Sequence, residues 1–187
     1  MKFNLKTVLV IDAVILLLGI STFLFGQQIG DFLHPSPNKA FYKEVNNDLD
    51  NLFTDLDSGK LNEQVRLEDR IDQINQKTID HSNSLYSKVL DGKMDSLSNL
   101  ETILSNLNDN HIYSGDRSML AIYMGSLIKA KAPADWGYDT NNSSLILRST
   151  KNEETVDLSN YIEDRIYDSG ASADVFYNES IKQLGGE

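Results

Sequence analysis

The chain contains no cysteine, and it has only three histidines and three prolines among its 187 residues. Without cysteine it forms no disulfide, thiolate nucleophile, iron–sulfur cluster or cysteine-containing zinc site. The three histidines leave few candidates for metal binding or general-base catalysis. We therefore expect no metal, no cofactor and no catalytic residues, and we expect the protein not to be an enzyme.

Basic side chains are also scarce. The chain carries 17 Lys and Arg against 28 Asp and Glu, which gives a formal net charge of -11. A surface of this sign is repelled by phosphate backbones, so we expect no nucleic-acid partner. The length corresponds to a single modest core, which excludes large multidomain enzyme architectures.

One long hydrophobic run is present, from Thr7 to Phe25, and Asp12 is its only ionisable residue. About 20 residues at roughly 1.5 Å each cross a hydrocarbon layer of about 30 Å, so residues 1–26 are predicted to form a transmembrane anchor. Asp12 either pairs with a group on a partner helix inside the membrane or lies near the cytoplasmic interface, where water reaches it.

The basic residues Lys2 and Lys6 precede this run, whereas Gln27 to Asn38 contains neither Lys nor Arg. This asymmetry predicts a cytoplasmic amino terminus and an extracytoplasmic remainder. A cleaved signal peptide, which would give a secreted protein, is the alternative. The length of the run, and Leu24 at a position where cleavage prefers a small residue, favour the anchor.

The rest of the chain is predicted to be mainly α-helical. A proline-containing spacer occupies residues 27–37, and a helical hairpin or coiled-coil stalk occupies residues 38–110. Its first amphipathic helix ends at Gly59. The second pattern, Leu61 to Asn108, is either one long helix or a hairpin bent at Gly92.

Residues 111–187 are predicted to form a small α+β module. Its expected elements are one buried helix, one β-hairpin and two short final helices, namely Ser118–Lys131, Leu145–Ser149 paired with Glu154–Leu158, Ser159–Tyr167 and Ala173–Leu184. Trp136 and Tyr138 are expected in the loop after the first helix. Exposed aromatic residues on loops anchor interfaces, so these two are a candidate interaction surface, with capping of the core as the alternative.

These features favour a non-catalytic, membrane-anchored interaction protein: a scaffold, an adaptor or an accessory subunit of an envelope assembly. A protein partner or self-association is expected, because a coiled-coil seam would pair with another helix. Two alternatives stay open. One is an exported hydrolase using His111, Ser114 or Asp116, and the other is a sensor or immunity-type receptor that binds a peptide or small ligand at the Trp136 loop.

Overall fold

The computed structural model describes residues 38–61, 64–109, 115–167 and 170–186. The chain divides into two units, residues 1–39 and residues 40–187. Nearly all of the first unit, with the predicted anchor, Asp12 and the spacer, lies outside the described residues. Among the residues described, no helix has both the length and the apolar character needed to cross a bilayer.

The second unit is mainly helical, with one small antiparallel sheet, as expected from the sequence. Its elements, in order, are α1 Lys39–Asp57, α2 Gln64–Tyr86, a 3₁₀ turn Met94–Ser96, α3 Leu97–Asp109, α4 Asp116–Lys129, β1 Ala134–Asp139, β2 Ser144–Ser149, β3 Thr155–Asp157, α5 Leu158–Ile166 and α6 Ala173–Gln183.

Helices α1 and α2 run antiparallel. Lys77 on α2 forms salt bridges with Glu44 and, at 2.7 Å, with Asp48, and Arg70 forms one with Asp55 at 2.9 Å. The later residue of α2 thus pairs with the earlier residues of α1, as antiparallel helices require. Gly59, with a φ of 67°, ends α1 in the left-handed conformation that glycine adopts without steric penalty.

A single continuous helix from Leu61 to Asn108 does not form. Helix α2 ends at Tyr86, and α3 begins at Leu97 after the 3₁₀ turn. Between them, Ser87 has a φ of 53° and Gly92 a φ of 73°, which are left-handed values incompatible with a continuing helix. The backbone therefore departs from helical geometry at two places, Ser87 and Gly92.

Helix α4 lies at the centre of the unit and is buried on nearly every side, from Met119 to Ile128. It contacts α2, α5, α6 and β2. The apolar residues of α1 and α2, including Val45, Leu52 and Ile71, belong to the same core as those of α4 and the sheet. The apolar stripes that suggested a coiled-coil seam are thus used within the chain itself.

The sheet has the order β1-β2-β3, and both pairs are antiparallel. The hairpin of β2 and β3 confirms the sequence prediction. The prediction of a loop at Trp136 and Tyr138 is wrong, because both lie in β1, opposite Leu147 and Leu145. Alternation along β1 places the two aromatic side chains on one face of the sheet, a period-two pattern that Gly137 obscured in the sequence.

Candidate functional site

A cleft of about 340 Å³ opens where four parts of the chain meet. The carboxyl end of α1, the first turn of α4, the β1–β2 hairpin and α5 each contribute side chains. The residues that line it are Phe53, Asp57, Arg117, Ser118, Tyr138, Ser143, Ser159 and Glu163. Tyr138, which the sequence singled out, therefore lies in the wall of a cleft.

Two aromatic rings form one side of the cleft. The ring centroids of Phe53 and Tyr138 are 6.0 Å apart, and the planes are tilted by 42°. The Tyr138 hydroxyl donates a hydrogen bond to Oδ1 of Asp57 at 2.8 Å. Burial raises the pKa of Tyr138; a hydrogen bond with Ser143 opposes this, and the Asp57 carboxylate adds to it. The phenol therefore stays protonated at neutral pH and keeps donating to Asp57.

Arg117 forms a different side of the cleft. Its Nη1 donates to Oε1 of Glu163 at 3.2 Å, and its Nη2 donates to the Tyr167 hydroxyl at 2.9 Å. The guanidinium carbon is also 5.6 Å from the centroid of the Tyr167 ring. The charge of Arg117 is thus compensated by Glu163, and the guanidinium is held against the exposed Tyr167 ring.

The Asp57 carboxylate uses only one of its two oxygens as a hydrogen-bond acceptor among the described residues. Its Oδ1 accepts from Tyr138, and Oδ2 has no hydrogen-bond partner among the described residues. With Asp57 and Glu163 against Arg117, the ionisable groups that line the cleft carry one net negative charge. The cleft therefore combines aromatic faces with an available anionic acceptor.

Trp136 is not part of this surface. The side chain is 4% exposed and belongs to the core. A Cβ placed on Gly125 would lie 2.2 Å from Cη2 of Trp136 and 2.5 Å from Cδ1 of Leu158, so the ring packs directly on the backbone of α4. Of the two aromatic residues proposed as an interaction surface, the structure places Trp136 in the interior and Tyr138 at the cleft.

Of the three residues named for the hydrolase alternative, the structure describes only Asp116. His111 and Ser114 lie outside the described residues. Asp116 is fully buried at the start of α4, where its Oδ1 accepts hydrogen bonds from the hydroxyls of Tyr42 at 2.9 Å and Tyr86 at 2.8 Å. These bonds join α1, α2 and α4, so this carboxylate helps to hold the helices together.

Burial raises the pKa of Tyr86 well above its usual range, and the adjacent Asp116 carboxylate reinforces the effect.

The structure describes one of the two histidines other than His111. His34 is outside the described residues, and His81 stacks on Phe41 with ring centroids 4.5 Å apart. Within the described ranges, no group of three His, Asp or Glu side chains could hold a metal ion.

The sequence did not reveal the other members of the cleft. Phe53 fitted the apolar spacing of α1, and Asp57, Arg117 and Glu163 resembled ordinary charged surface residues. One signal was available: Phe53 is the second of two adjacent apolar residues on α1, so it lies at the edge of the buried stripe and not at its centre.

Comparison with known proteins gives no further guide. No protein-family model, curated protein or solved structure matches the chain significantly.

Proposed function

We propose that the protein is a non-catalytic interaction protein, anchored by one amino-terminal transmembrane helix, whose extracytoplasmic unit binds a partner protein at the Tyr138 cleft. It would act as a scaffold, an adaptor or an accessory subunit of an envelope assembly. The amino terminus would lie in the cytoplasm. The support for the anchor is the run Thr7–Phe25 with Lys2 and Lys6 before it.

The observation that carries the binding role is the composition of the cleft. Aromatic residues and arginine are enriched at the energetic centres of protein interfaces. The cleft brings Phe53, Tyr138 and Arg117 together, and the exposed Tyr167 stacks on Arg117 beside it. Among the described residues, large apolar side chains are otherwise exposed only at Val89, Met94 and Val175.

The topology is tested by protease treatment of intact cells that express the chain with a carboxy-terminal tag. We expect the tag to be lost, while an amino-terminal fragment resists carbonate extraction. Release of a shortened, tagged protein into the medium would instead indicate cleavage of a signal peptide. Complete protection of the tag would contradict the proposed orientation.

The binding role is tested by placing a photo-crosslinking residue in the cleft of the full-length protein in cells. p-Azidophenylalanine at Tyr138 keeps the ring, and the same residue at Val175, which is 42% exposed on α6, is the matched control. We expect a discrete cross-linked protein of reproducible mass from position 138 and not from position 175. Equal products at both positions would argue against a specific site.

A receptor for a peptide or small ligand is the second candidate, and the size of the cleft favours it. About 340 Å³ falls within the range of roughly 300–1,000 Å³ that is typical of small-ligand sites. The same cross-linking experiment separates the two: a receptor would give a product barely heavier than the protein itself.

A further inference from the structure

We infer that the group recognised in the cleft is the cationic side chain of a lysine or arginine in a basic segment of the partner. Asp57 would accept its N–H groups, and the rings of Phe53 and Tyr138 would lie against it. This inference rests on the proposed function and adds the chemistry of the partner. Three features of the cleft carry it, together with the charge of the protein.

The first feature is the orientation of Asp57. The Tyr138 hydroxyl binds Oδ1 at 2.8 Å, which leaves Oδ2 without a partner among the described residues. Because the phenol is fixed in β1 and remains protonated, the carboxylate is held by its neighbour before any ligand arrives. An ammonium or guanidinium group would gain a charge-assisted hydrogen bond from an acceptor that is already placed.

The second feature is the aromatic pair. A cation within about 6 Å of a ring centroid is attracted by the negative face of the ring. Phe53 and Tyr138 both line the cleft, and their ring centroids are 6.0 Å apart, so the rings pack on each other. A cation seated in the cleft beside this pair would be within reach of both rings. A carboxylate beside two rings is the combination that recognises an alkylammonium or guanidinium group.

The third feature is the state of Arg117. Its guanidinium is bonded to Glu163 and to the Tyr167 hydroxyl, so its charge is compensated locally and does not oppose a second cation. An anionic ligand would have to displace Glu163 and approach Asp57. The net charge of -11 on the whole chain also favours a basic partner over an acidic one.

The experiment measures binding of a fluorescein-labelled hexalysine peptide to the full chain in uncharged detergent micelles, by fluorescence anisotropy. The test variant is Asp57→Asn, and the matched control is Asp50→Asn on the exposed side of the same helix. Both substitutions remove one negative charge, so general attraction to the acidic protein falls equally. We expect the Kd for hexalysine to rise about tenfold for Asp57→Asn, and to change by less than about twofold for Asp50→Asn.

A second variant tests the aromatic part of the site. Phe53→Leu keeps an apolar side chain and removes one ring, and we expect it to weaken binding about threefold. The same peptide with every lysine acetylated should lose binding to the unmodified protein. Far-ultraviolet circular dichroism of each variant, compared with the unmodified protein, establishes that it is folded.

Three results would overturn the inference: no binding of hexalysine by the unmodified chain, equal weakening by Asp57→Asn and Asp50→Asn, or equal binding of the acetylated peptide. If a partner still cross-links at position 138 in that case, the proposed function stands and only the chemistry assigned to the partner fails. If hexalysine binds through Asp57 but no partner cross-links, the proposed function fails instead.

Discussion

The two aromatic residues on the inner face of β1 have opposite environments, although they are only two positions apart. Trp136 is buried and packs on the backbone of α4 at Gly125, whereas Tyr138 is half-buried and bonds to Asp57 in the cleft. The same strand therefore contributes to the core at one end and to the wall of a cleft at the other. Both residues are aromatic and lie on the same face of one strand, so their different environments come from the helices packed beside them: α4 against Trp136 and α1 beside Tyr138.

A similar contrast exists between two tyrosine–aspartate pairs. Tyr86 donates to Asp116, which is fully buried, and Tyr138 donates to Asp57, which is exposed. The first pair joins α2 to α4 inside the unit, and the second joins α1 to β1 at the surface. Changes in the interior should therefore alter the free energy of unfolding, and changes at the cleft should alter binding.

The largest expected effect comes from truncating the buried ring. Trp136→Ala should lower the free energy of unfolding by about 3–5 kcal/mol, because it removes a large core side chain and leaves a cavity. Tyr138→Ala should lower it by less than half as much, since that ring is partly solvated. Urea denaturation of the full chain, followed by circular dichroism at 222 nm, compares them. Equal losses would remove the distinction between the two ends of β1.

The next largest effect is expected from adding a side chain at Gly125, where the Trp136 ring packs on the backbone of α4. Gly125→Ala should destabilise by about 1–3 kcal/mol, because the added methyl group would overlap the Trp136 ring and Leu158. Combining it with Trp136→Leu gives a double-mutant cycle. We expect the alanine to be much less harmful in the Trp136→Leu background, and an unchanged cost would show that the ring is not the obstacle.

Tyr86, whose hydroxyl bonds to the buried Asp116 carboxylate, should make stability fall at alkaline pH. Its pKa is raised in the folded protein, so above about pH 10 the unfolded chain loses the Tyr86 proton while the folded chain retains it. Stability then declines by up to about 1.4 kcal/mol per pH unit for this group. The stabilisation that comes from the raised pKa of Tyr86 is fully present below about pH 10, and it is lost as the pH rises towards the pKa of Tyr86 in the folded protein.

Denaturation midpoints at several pH values between 9 and 11 measure this decline. Tyr86→Phe should reduce the slope, whatever it does to stability at neutral pH, because this phenol is gone. The part of the slope that comes from Tyr123, Tyr161 and Tyr177, whose pKa values burial also raises, should remain. Tyr138→Phe is the control and should leave most of the slope in place. A slope that both variants reduce equally would contradict the contrast between the two tyrosine–aspartate pairs.

The smallest effect on stability is expected at the cleft. Tyr138→Phe removes a hydrogen bond to an exposed carboxylate, and this should change the free energy of unfolding by about 0.5 kcal/mol or less. It should nevertheless weaken hexalysine binding, because Asp57 loses the group that orients it. Urea denaturation and the anisotropy titration, performed on one preparation, give both quantities. A large stability loss would make Tyr138 a core residue like Trp136.

Most of the helices could be predicted from the sequence. Apolar residues three and four positions apart marked α1, and a dense apolar run before Pro133 marked α4. Strand β1 was missed because Gly137 and Pro133 resembled loop residues, and because its six residues carry too short a pattern to stand out. Pairing with β2 supplies the stabilisation that the local pattern does not show.

The cleft could be predicted only through Tyr138. Its other members come from α1, α4 and α5, so the residues that meet are as far apart in the chain as Phe53 and Glu163. A charged residue such as Asp57 or Arg117 has the same local pattern whether it lies on open surface or at the wall of a site. Proximity between distant segments leaves no periodic signal in one sequence.

The sequence by itself determined the helical character of the folded unit, its acidity, its lack of cysteine chemistry and the end of the first helix at Gly59. These follow from composition and from spacings of a few residues, which depend on local backbone geometry. Only the tertiary structure decided that Trp136 is buried and that Tyr138 faces a cleft. Burial depends on which helix packs over which part of a strand, and close packing between distant segments sets that arrangement.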